Sequence, residues 1–303
     1  MIFNGNKSLF VKKMNNGLTT KREHLISILK GYGSLIIAYS GGVDSTFLLA
    51  TAHEALKKNL VAITAKSPLH PVRENQDAKA FAQELGVKHM LVKSREMNLP
   101  DFTANTKERC YLCKKYLFID LLKIARDKNI EYVVHGANVD DLKDFRPGFD
   151  AAREMKITAP MVDAGLTKND IRTLSKQMNL KTWNKSPMSC LATRIPYGTQ
   201  ITTEKLKMIE QAEQVILGLG FNACRVRLHA KVARIEVDSA DIERILEQGV
   251  RSSIVGKLRE IGFSHVAVDL EGYRQGSMNR ALSLNISKRK QKSNELSTGF
   301  GIR

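Results

Sequence analysis

Residues 35–45 read LIIAYSGGVDS, and this stretch decides the fold of the chain. Its first five residues are mostly apolar and predict a short buried strand. A Ser-Gly-Gly turn follows at once, and apolar residues then recur at helical spacing from Val43 to Leu56. The stretch therefore predicts a strand, a tight glycine turn and a helix in direct succession.

The turn at residues 40–45 has the chemistry of a phosphate site. Gly41 and Gly42 let the backbone turn sharply and approach a ligand closely. The start of the helix offers free N–H groups and the positive end of a dipole, which favour a phosphate, and Ser40 and Ser45 add hydroxyl donors. The Gly-Lys-Ser/Thr ending of a Walker loop is missing. Instead, Ser-Gly-Gly-Val-Asp-Ser resembles the PP-loop of N-type ATP pyrophosphatases, although an ordinary βα turn is the plain alternative.

Composition favours a globular protein with anionic partners. The chain has 303 residues, of which 43% are hydrophobic and 26% charged, and this length suffices for two domains. No apolar run approaches the roughly 20 residues of a membrane span, and no secretory signal begins the chain, so we expect a cytoplasmic protein without a membrane partner. The net charge of +17 favours nucleotides, phosphorylated substrates or RNA, although solubility alone would also explain it.

The pattern of strands and helices predicts two domains. Strands are predicted at 35–39, 60–66, 89–93 and 132–136, and helices at 21–30, 43–56, 71–85, 110–127 and 167–177. This alternation indicates an α/β domain with a doubly wound parallel sheet. Further along, helices at 203–217, 241–247 and 250–261 and strands at 223–229, 233–238 and 265–270 predict a smaller α+β domain. We expect a loose segment (1–20), the α/β domain (21–197), the α+β domain (198–280) and a basic tail (281–303).

Three loops meet at one edge of the predicted parallel sheet. Ligands of such sheets bind where the carboxyl ends of the strands lie, and the turn at Ser40, residues 65–67 and residues 136–138 all follow strands. We expect ATP at this edge, and we expect Asp44 to be catalytic because backbone amides alone cannot complete a Mg²⁺-pyrophosphate site. The candidate ATP-binding residues are Ser40, Gly41, Gly42, Asp44, Ser45, Ala65, Gly136 and Asn138.

The four cysteines are too few for a disulfide scaffold. Cys190 stands in a loop-like stretch, SPMSCLATRIPYG (186–198), where the nearby Arg194 could lower its pKa and make it a nucleophile. The alternative is a small buried apolar residue. Cys224 lies among apolar residues of its strand, and we interpret it as core.

Cys110 and Cys113 form a CxxC at the start of a helix, where the spacing puts both thiols on one face. Such a pair is compatible with zinc, redox chemistry or an iron–sulfur cluster. With Cys190 there are three plausible ligands, and no second CxxC completes a four-cysteine zinc site. Three thiolates with one open corner fit a catalytic 4Fe–4S cluster better than structural zinc.

The strand at 223–229 separates two faces by its alternation. Arg225, Arg227 and His229 share the face opposite Cys224. That face is either solvated charge or a site for a substrate phosphate, since arginine binds phosphate with two parallel hydrogen bonds. The candidate phosphate-binding residues are Arg194, Arg225 and Arg227, and Glu213 and Glu236 could add carboxylates there.

Several stretches together resemble the LarE family of ATP-dependent sulfur transferases, which help to build the nickel-pincer nucleotide cofactor of lactate racemase. The resemblance spans about residues 25–279 and is strongest in a few short segments. These are SGGVDS (40–45), RCYLCK (109–114), GANVDD (136–141), RPG (146–148), the Cys190 stretch and DLEGYRQGSMN (269–279).

The resemblance implies a mechanism. The substrate would be pyridinium-3,5-biscarboxylate mononucleotide, a ring carboxylate of which is adenylated by ATP with Mg²⁺ and then converted to a thiocarboxylate. In one branch of the family the cysteine matching Cys190 gives up its own sulfur. In the other, a CxxC and this cysteine hold a 4Fe–4S cluster that carries the donor sulfide, and the presence of Cys110 and Cys113 favours this branch. A homo-oligomer is expected.

Two other function classes stay open at this point. One is a tRNA thiolase with a PP-loop and cluster-binding cysteines, which the positive charge would suit. The other is a nucleotide- or RNA-binding protein without catalysis, although an intact Ser40, Asp44 and Ser45 argue against lost catalysis. ATP turnover would discriminate between the last class and the enzymes.

Overall fold

The computed structural model describes residues 5–143, 147–187 and 189–274, with side chains from residue 17 onward except that of residue 143. The chain divides into two compact units, with the boundary between Ser189 and Cys190. The predicted tail at 281–303, residues 275–279 of the last LarE-like segment and Arg146 lie outside the described residues. Within the described residues, no helix combines the length and apolar character that a membrane crossing needs.

The first unit alternates strands and helices. Its strands are β1 (Leu35–Ala38), β2 (Leu60–Lys66), β3 (Lys88–Lys93) and β4 (Tyr132–His135). Its helices are α1 (Gly5–Tyr32), α2 (Val43–Leu56), α3 (Val72–Glu84), α4 (Pro100–Thr103), α5 (Arg109–Asp127), α6 (Pro147–Glu154), α7 (Pro160–Asp163) and α8 (Lys168–Gln177). Every predicted element of this unit is present, with ends that differ by a few residues apart from the start of α1.

The sheet of the first unit is parallel throughout, in the order β3-β2-β1-β4. Strand β1 lies in the middle and is buried on both faces. Leu35 and Ile37 pack into a core shared with α1, α2, α3, α7 and α8, whereas Ile36 packs into a second core with α5 and α6. Helices therefore cover both faces, which confirms the doubly wound parallel fold.

The N-terminal helix is longer than expected. The predicted loose segment at 1–20 is wrong for the described part, because α1 runs from Gly5 to Tyr32. No proline interrupts residues 5–32, so the helix that the core fixes can continue toward the N-terminus. Leu25 and Leu29 are fully buried, and Lys21 Nζ lies 2.7 Å from Asp170 Oδ2 on α8.

The second unit is a small α+β fold, as predicted. It contains α9 (Thr203–Gly218), β5 (Cys224–His229), β6 (Val232–Val237), α10 (Ile242–Leu246), α11 (Gln248–Ile261) and β7 (His265–Val268). Strand β6 is central, antiparallel to β5 and parallel to β7.

The unit begins earlier than the predicted boundary between 197 and 198. Its first residues are tied to its own core: Arg194 binds Glu213 of α9, and the carbonyl of Thr193 accepts a hydrogen bond from Arg227 of β5.

Candidate active site

The turn between β1 and α2 is built around two glycines. Gly41 has φ +72°, and a Cβ there would lie 3.0 Å from the Cβ of Ala78 on α3, so both conformation and space require glycine. Gly42 is the N-cap of α2 and offers no side chain to cap the helix. The first amides of α2 are therefore the donors that an anion at this turn would meet.

Two serine hydroxyls close the turn. Ser40 Oγ and Ser45 Oγ lie 3.0 Å apart, and Ser45 Oγ donates to the Gly42 carbonyl at 3.3 Å. The amide of Ser40 donates to Ser45 Oγ at 3.3 Å. Ser45 is buried whereas Ser40 is exposed. Ser45 thus shapes the loop, and Ser40 is the hydroxyl that a ligand can reach.

Asp44 is the carboxylate of this turn. Its Oδ2 lies 2.5 Å from the ammonium of Lys168. Its Oδ1 is buried and has no hydrogen-bond partner within the described residues. A buried carboxylate oxygen normally has a partner, and carboxylate oxygens are the protein ligands that Mg²⁺ takes when it also binds phosphates. The unused oxygen therefore fits a metal ion at the turn.

Two lysines that the sequence analysis did not select flank the turn. Lys168 begins α8, directly after the N-cap Thr167, which forms a capping box with Asp170. Lys185 Nζ lies 3.4 Å from the carbonyl oxygen of Gly41 and 3.7 Å from Asp77 Oδ2. Their positive charges suit a pyrophosphate, but both are far along the chain from the turn. Only the helix-start signal at Thr167 could have drawn attention to Lys168.

The end of β4 lies directly against the turn. A Cβ on Gly136 would be 3.0 Å from the amide nitrogen of Ser45 and 3.1 Å from its Cα, so a side chain there would force β4 or the turn to shift. Asn138 is buried and shapes the following loop, because its Oδ1 accepts from the amide of Asp140 at 3.0 Å. The structure thus brings the predicted loop 136–138 to the turn at 40–45.

The end of β2 extends past its pairing with β1 at the same edge. The carbonyl of Ile63 accepts a 2.8 Å hydrogen bond from the amide of Tyr39, and β1 pairs with β2 no further than Ile63. Alternate residues of a strand face the same neighbour. The N–H and C=O groups of Ala65, two residues on, therefore face the β1 side, where the described chain places no strand opposite them.

Histidines near this edge carry no charge at neutral pH. Burial, with a smaller effect of Lys114, lowers the pKa of His135 at the end of β4 to about 4. The pKa of His70, in the loop after β2, is lowered to about 4 by the same causes in the same order. Positive charge at the turn therefore comes from lysines rather than from imidazolium groups.

Cys110 and Cys113 lie in the first turn of α5, as predicted, and both are half-buried. The two therefore lie within one helical turn. Among the described residues, no group of three or more His, Cys, Asp or Glu side chains that could hold a metal ion is found. The 4Fe–4S cluster expected from Cys110, Cys113 and Cys190 therefore stays a prediction, and we derive no step through it.

Cys190 begins the second unit, and two arginines hold its loop. Arg194 Nη1 donates to the carbonyl of Cys190 at 3.1 Å, and Arg227 Nη1 donates to the carbonyl of Thr193 at 3.0 Å. The thiol of Cys190 is half-buried. The backbone that carries this thiol is therefore fixed by guanidinium groups.

Both arginines are buried and paired with carboxylates. Arg194 meets Glu213 in two parallel bonds of 2.9 and 3.1 Å, and Arg227 meets Glu236 in two of 3.0 and 2.7 Å. Burial alone would lower the pKa of Arg194, but Glu213 outweighs it and leaves that pKa raised. The solvated basic face offered as one alternative is wrong, and Glu213 and Glu236 bind arginines.

Arg225 differs from these two. It is buried on the same face, its Nη1 donates to the Cys224 carbonyl at 2.7 Å, and its guanidinium lies 4.9 Å from the ring centre of Tyr273. Burial and then Arg194 lower its pKa. Cys224 is core, as predicted, and burial raises the pKa of its thiol far above its ordinary value.

A glycine turn for an anion, at the carboxyl edge of a doubly wound parallel sheet, defines an ATP-utilising enzyme of the PP-loop class. Comparisons agree with this class. A family model described as NAD synthase matches residues 23–112. A component of the glutamine-hydrolyzing GMP synthase of Pyrococcus furiosus is 25% identical over 61% of this chain and 63% of its own length.

Two further relatives match nearly end to end. An uncharacterized protein of Synechocystis is 40% identical over 88% of this chain and 99% of its own length. The pyridinium-3,5-bisthiocarboxylic acid mononucleotide synthase of Lactiplantibacillus plantarum is 33% identical over 88% of this chain and 96% of its own length. The chain belongs to the family of this synthase, the LarE family.

Proposed function

We propose that this enzyme uses ATP to adenylate a carboxylate of a pyridinium-biscarboxylate mononucleotide and converts it to a thiocarboxylate. The named relative is a synthase of the bisthiocarboxylic acid mononucleotide. The observation that carries the proposal is the unused buried oxygen of Asp44 beside a glycine turn with two lysines. A carboxylate is a poor electrophile until its oxygen is made a good leaving group, and adenylation does this.

The turn would bind the β- and γ-phosphates of ATP. The amides at the start of α2 and the Ser40 hydroxyl would donate to phosphate oxygens, and Lys168 and Lys185 would add positive charge. Asp44 would hold Mg²⁺ through its free oxygen, and Mg²⁺, when bound, neutralises charge on the phosphates. These groups stabilise the pyrophosphate that leaves when the substrate carboxylate attacks the α-phosphorus.

The end of β2 would bind the base. The N–H and C=O groups of Ala65 face the β1 side, beyond the last residue of β2 that pairs with β1. A donor next to an acceptor matches the ring nitrogen and the amino group of adenine. Gly136 would keep β4 close to the turn, and Asn138 would shape the loop beside it.

The second unit would supply substrate contacts and a thiol. Arg194, Arg225 and Arg227 are the candidates for a substrate phosphate, and Arg194 and Arg227 also bind carboxylates. For those two residues we propose that they hold the Cys190 loop and add positive charge near it. The thiolate of Cys190 is a competent sulfur nucleophile for an acyl-adenylate.

The sulfur source separates the two family branches. Under the cluster proposal, which Cys110 and Cys113 favour, these two and Cys190 hold a 4Fe–4S cluster. Anaerobically reconstituted chain would then bind about four irons, sulfide would support repeated turnover, and the chain mass would stay constant. Under the sacrificial proposal, the spent chain is lighter by one H₂S at Cys190.

The test combines mass spectrometry of the spent chain with cysteine variants. The cluster proposal expects Cys110→Ala, Cys113→Ala and Cys190→Ala each to lose iron and sulfur transfer. A lighter chain, with transfer intact in the first two variants, would contradict the cluster and leave the adenylation standing. Substrate and ATP that yield no thiocarboxylate under either condition would overturn the proposed function.

A further inference from the structure

Glu96 is a buried carboxylate at the carboxyl edge of the first sheet. Only 1% of its surface is exposed. It accepts hydrogen bonds from two hydroxyls, those of Ser67 and Ser94. Burial of a carboxyl group costs free energy unless the group is hydrogen-bonded, and the bonds from the two hydroxyls offset this cost for Glu96.

The two hydroxyls belong to the loops that follow neighbouring strands. Ser67 comes directly after β2, and its Oγ also accepts from the amide of Leu69 at 3.2 Å. Ser94 comes directly after β3, and its amide donates to the carbonyl of Lys66 at 3.1 Å. Glu96 therefore joins the two loops just beyond the last strand pair, Lys66 with Lys93.

This junction lies next to the free backbone of Ala65. On the side of β3, residues 65 and 66 are held by strand pairing. On the other side the pairing with β1 has ended, so within the described residues no strand lies opposite the N–H and C=O groups of Ala65. Their direction depends on how firmly residues 66 and 67 are held, and Glu96 holds residue 67.

The free N–H and C=O groups can distinguish purine bases. Adenine places an acceptor nitrogen next to an amino donor, which complements a backbone N–H and C=O. Guanine places an N–H donor and a carbonyl acceptor at the same positions, so donor would face donor and acceptor would face acceptor. A site built on such hydrogen bonds rejects the wrong partner because its polar groups are left unpaired.

We propose that Glu96 is a positioning residue that sets the selectivity of this site for adenine over guanine nucleotides. The inference rests on the proposed function, in that ATP binds with its base at the end of β2. Glu96 does not touch the base; it fixes the loop that orients Ala65. When Glu96 is removed, the hydroxyls of Ser67 and Ser94 lose their shared acceptor, and the loop is free to shift.

The test compares dissociation constants for ATP and GTP, each with Mg²⁺, in the full chain. We expect the wild-type chain to prefer ATP and Glu96→Ala to reduce that preference at least about tenfold, mainly by weaker ATP binding. Glu96→Gln should fall between the two, because its amide can still accept one of the hydroxyl bonds. Glu84→Ala, at an exposed carboxylate on α3, is the matched control and should keep the wild-type ratio.

Failure of this inference differs from failure of the proposed function. A Glu96→Ala chain that binds both nucleotides more weakly by the same factor would show a purely structural role and overturn the inference. So would a wild-type chain without preference. A wild-type chain that binds neither nucleotide would overturn the proposed function as well. If Glu96→Ala does not fold, Ser67→Ala removes one of the two bonds and should move the ratio in the same direction.

Discussion

The glycine turn of the first unit (residues 40–45) and the arginine cluster of the second (Arg194 and Arg227 with Glu213 and Glu236) both gather charged side chains. The two sites compensate those charges in different ways. At the turn, Asp44 uses one oxygen on Lys168 and leaves the other without a partner among the described residues. In the cluster, Glu213 and Glu236 each give both oxygens to an arginine.

This difference indicates that the turn is suited to binding a ligand, whereas the cluster positions the backbone of its own unit. An unused buried oxygen and flanking ammonium groups leave hydrogen-bonding capacity for a ligand, so changes at the turn should act on ATP. In the cluster, the paired bonds to Glu213 and Glu236 leave little such capacity at Arg194 and Arg227. These two arginines also donate to the carbonyls of Cys190 and Thr193. Changes in the cluster should therefore act first on the stability of the second unit.

The largest expected effect comes from breaking a pair of the cluster. Glu213→Ala leaves the guanidinium of Arg194 buried without its carboxylate and removes the acceptor of the Val226 amide. Loss of one partner of a buried ion pair costs about 3–5 kcal/mol. Hydrogen exchange of peptides from β5 and β6 would measure this loss, since it reports opening of the second unit alone.

The matched control for this prediction is Glu260→Ala, at an exposed carboxylate on α11. It should change exchange in β5 and β6 by a few tenths of a kcal/mol at most. Equal protection in the two variants would mean that the Arg194–Glu213 pair does not hold the second unit together.

The next largest effect is expected at the glycine turn. Asp44→Ala removes the carboxylate that would hold Mg²⁺, and we expect pyrophosphate release to fall by about 10²-fold or more, the scale of losing a key charge-stabilising group. Ser40→Ala should lower it in the same way through loss of the exposed hydroxyl. Asp101→Asn, at the exposed start of α4, is the control. Release at the wild-type rate in both variants of the turn would contradict the assignment of the ATP site.

A smaller effect should follow from crowding the turn without removing a polar group. In Gly136→Ala the new methyl would lie 3.0 Å from the Ser45 amide nitrogen, so β4 or the turn must shift. Such overpacking costs about 1–3 kcal/mol, and we expect weaker ATP binding together with a lower melting temperature. Gly249→Ala in α11 is the matched control, because a Cβ there would meet no neighbouring atom within 4 Å. It should leave ATP binding and the melting temperature unchanged, or raise the melting temperature slightly. Wild-type ATP affinity in Gly136→Ala would contradict the claim that the close contact of β4 with the turn is needed for ATP binding.

The sequence was most informative where local chemistry determines structure. Strand β2 and the helix start at Thr167 follow from apolar runs and capping residues, and the turn at 40–45 follows from its glycines. The polar and apolar faces of β5 also follow from alternation. Alternation does not say whether a polar face is covered, however, so the burial of Arg225 and Arg227 could not be predicted.

Contacts between side chains that are far apart in the sequence also could not be predicted. Lys168 and Lys185 reach the turn only because the sheet and α8 bring them there, and their spacing along the chain carries no signal of it. Glu96 is similar, because an acidic residue after a strand predicts a loop, whereas its two buried hydroxyl partners depend on the pairing of β2 with β3. Side chains that depend on tertiary contacts were missed for this reason.

The most direct test of the central claim is to identify which bond of ATP is broken. The purified chain would be incubated with Mg²⁺, ATP labelled at the α-phosphate and pyridinium-3,5-biscarboxylate mononucleotide, and the nucleotide products separated. The account predicts pyrophosphate together with an equal amount of labelled adenylate, as the acyl-adenylate or as AMP released from it by the sulfur nucleophile. Both products should form only when the substrate carboxylate is present, and both should be lost in Asp44→Ala. Formation of ADP and phosphate instead, or no cleavage of ATP with this substrate, would contradict it.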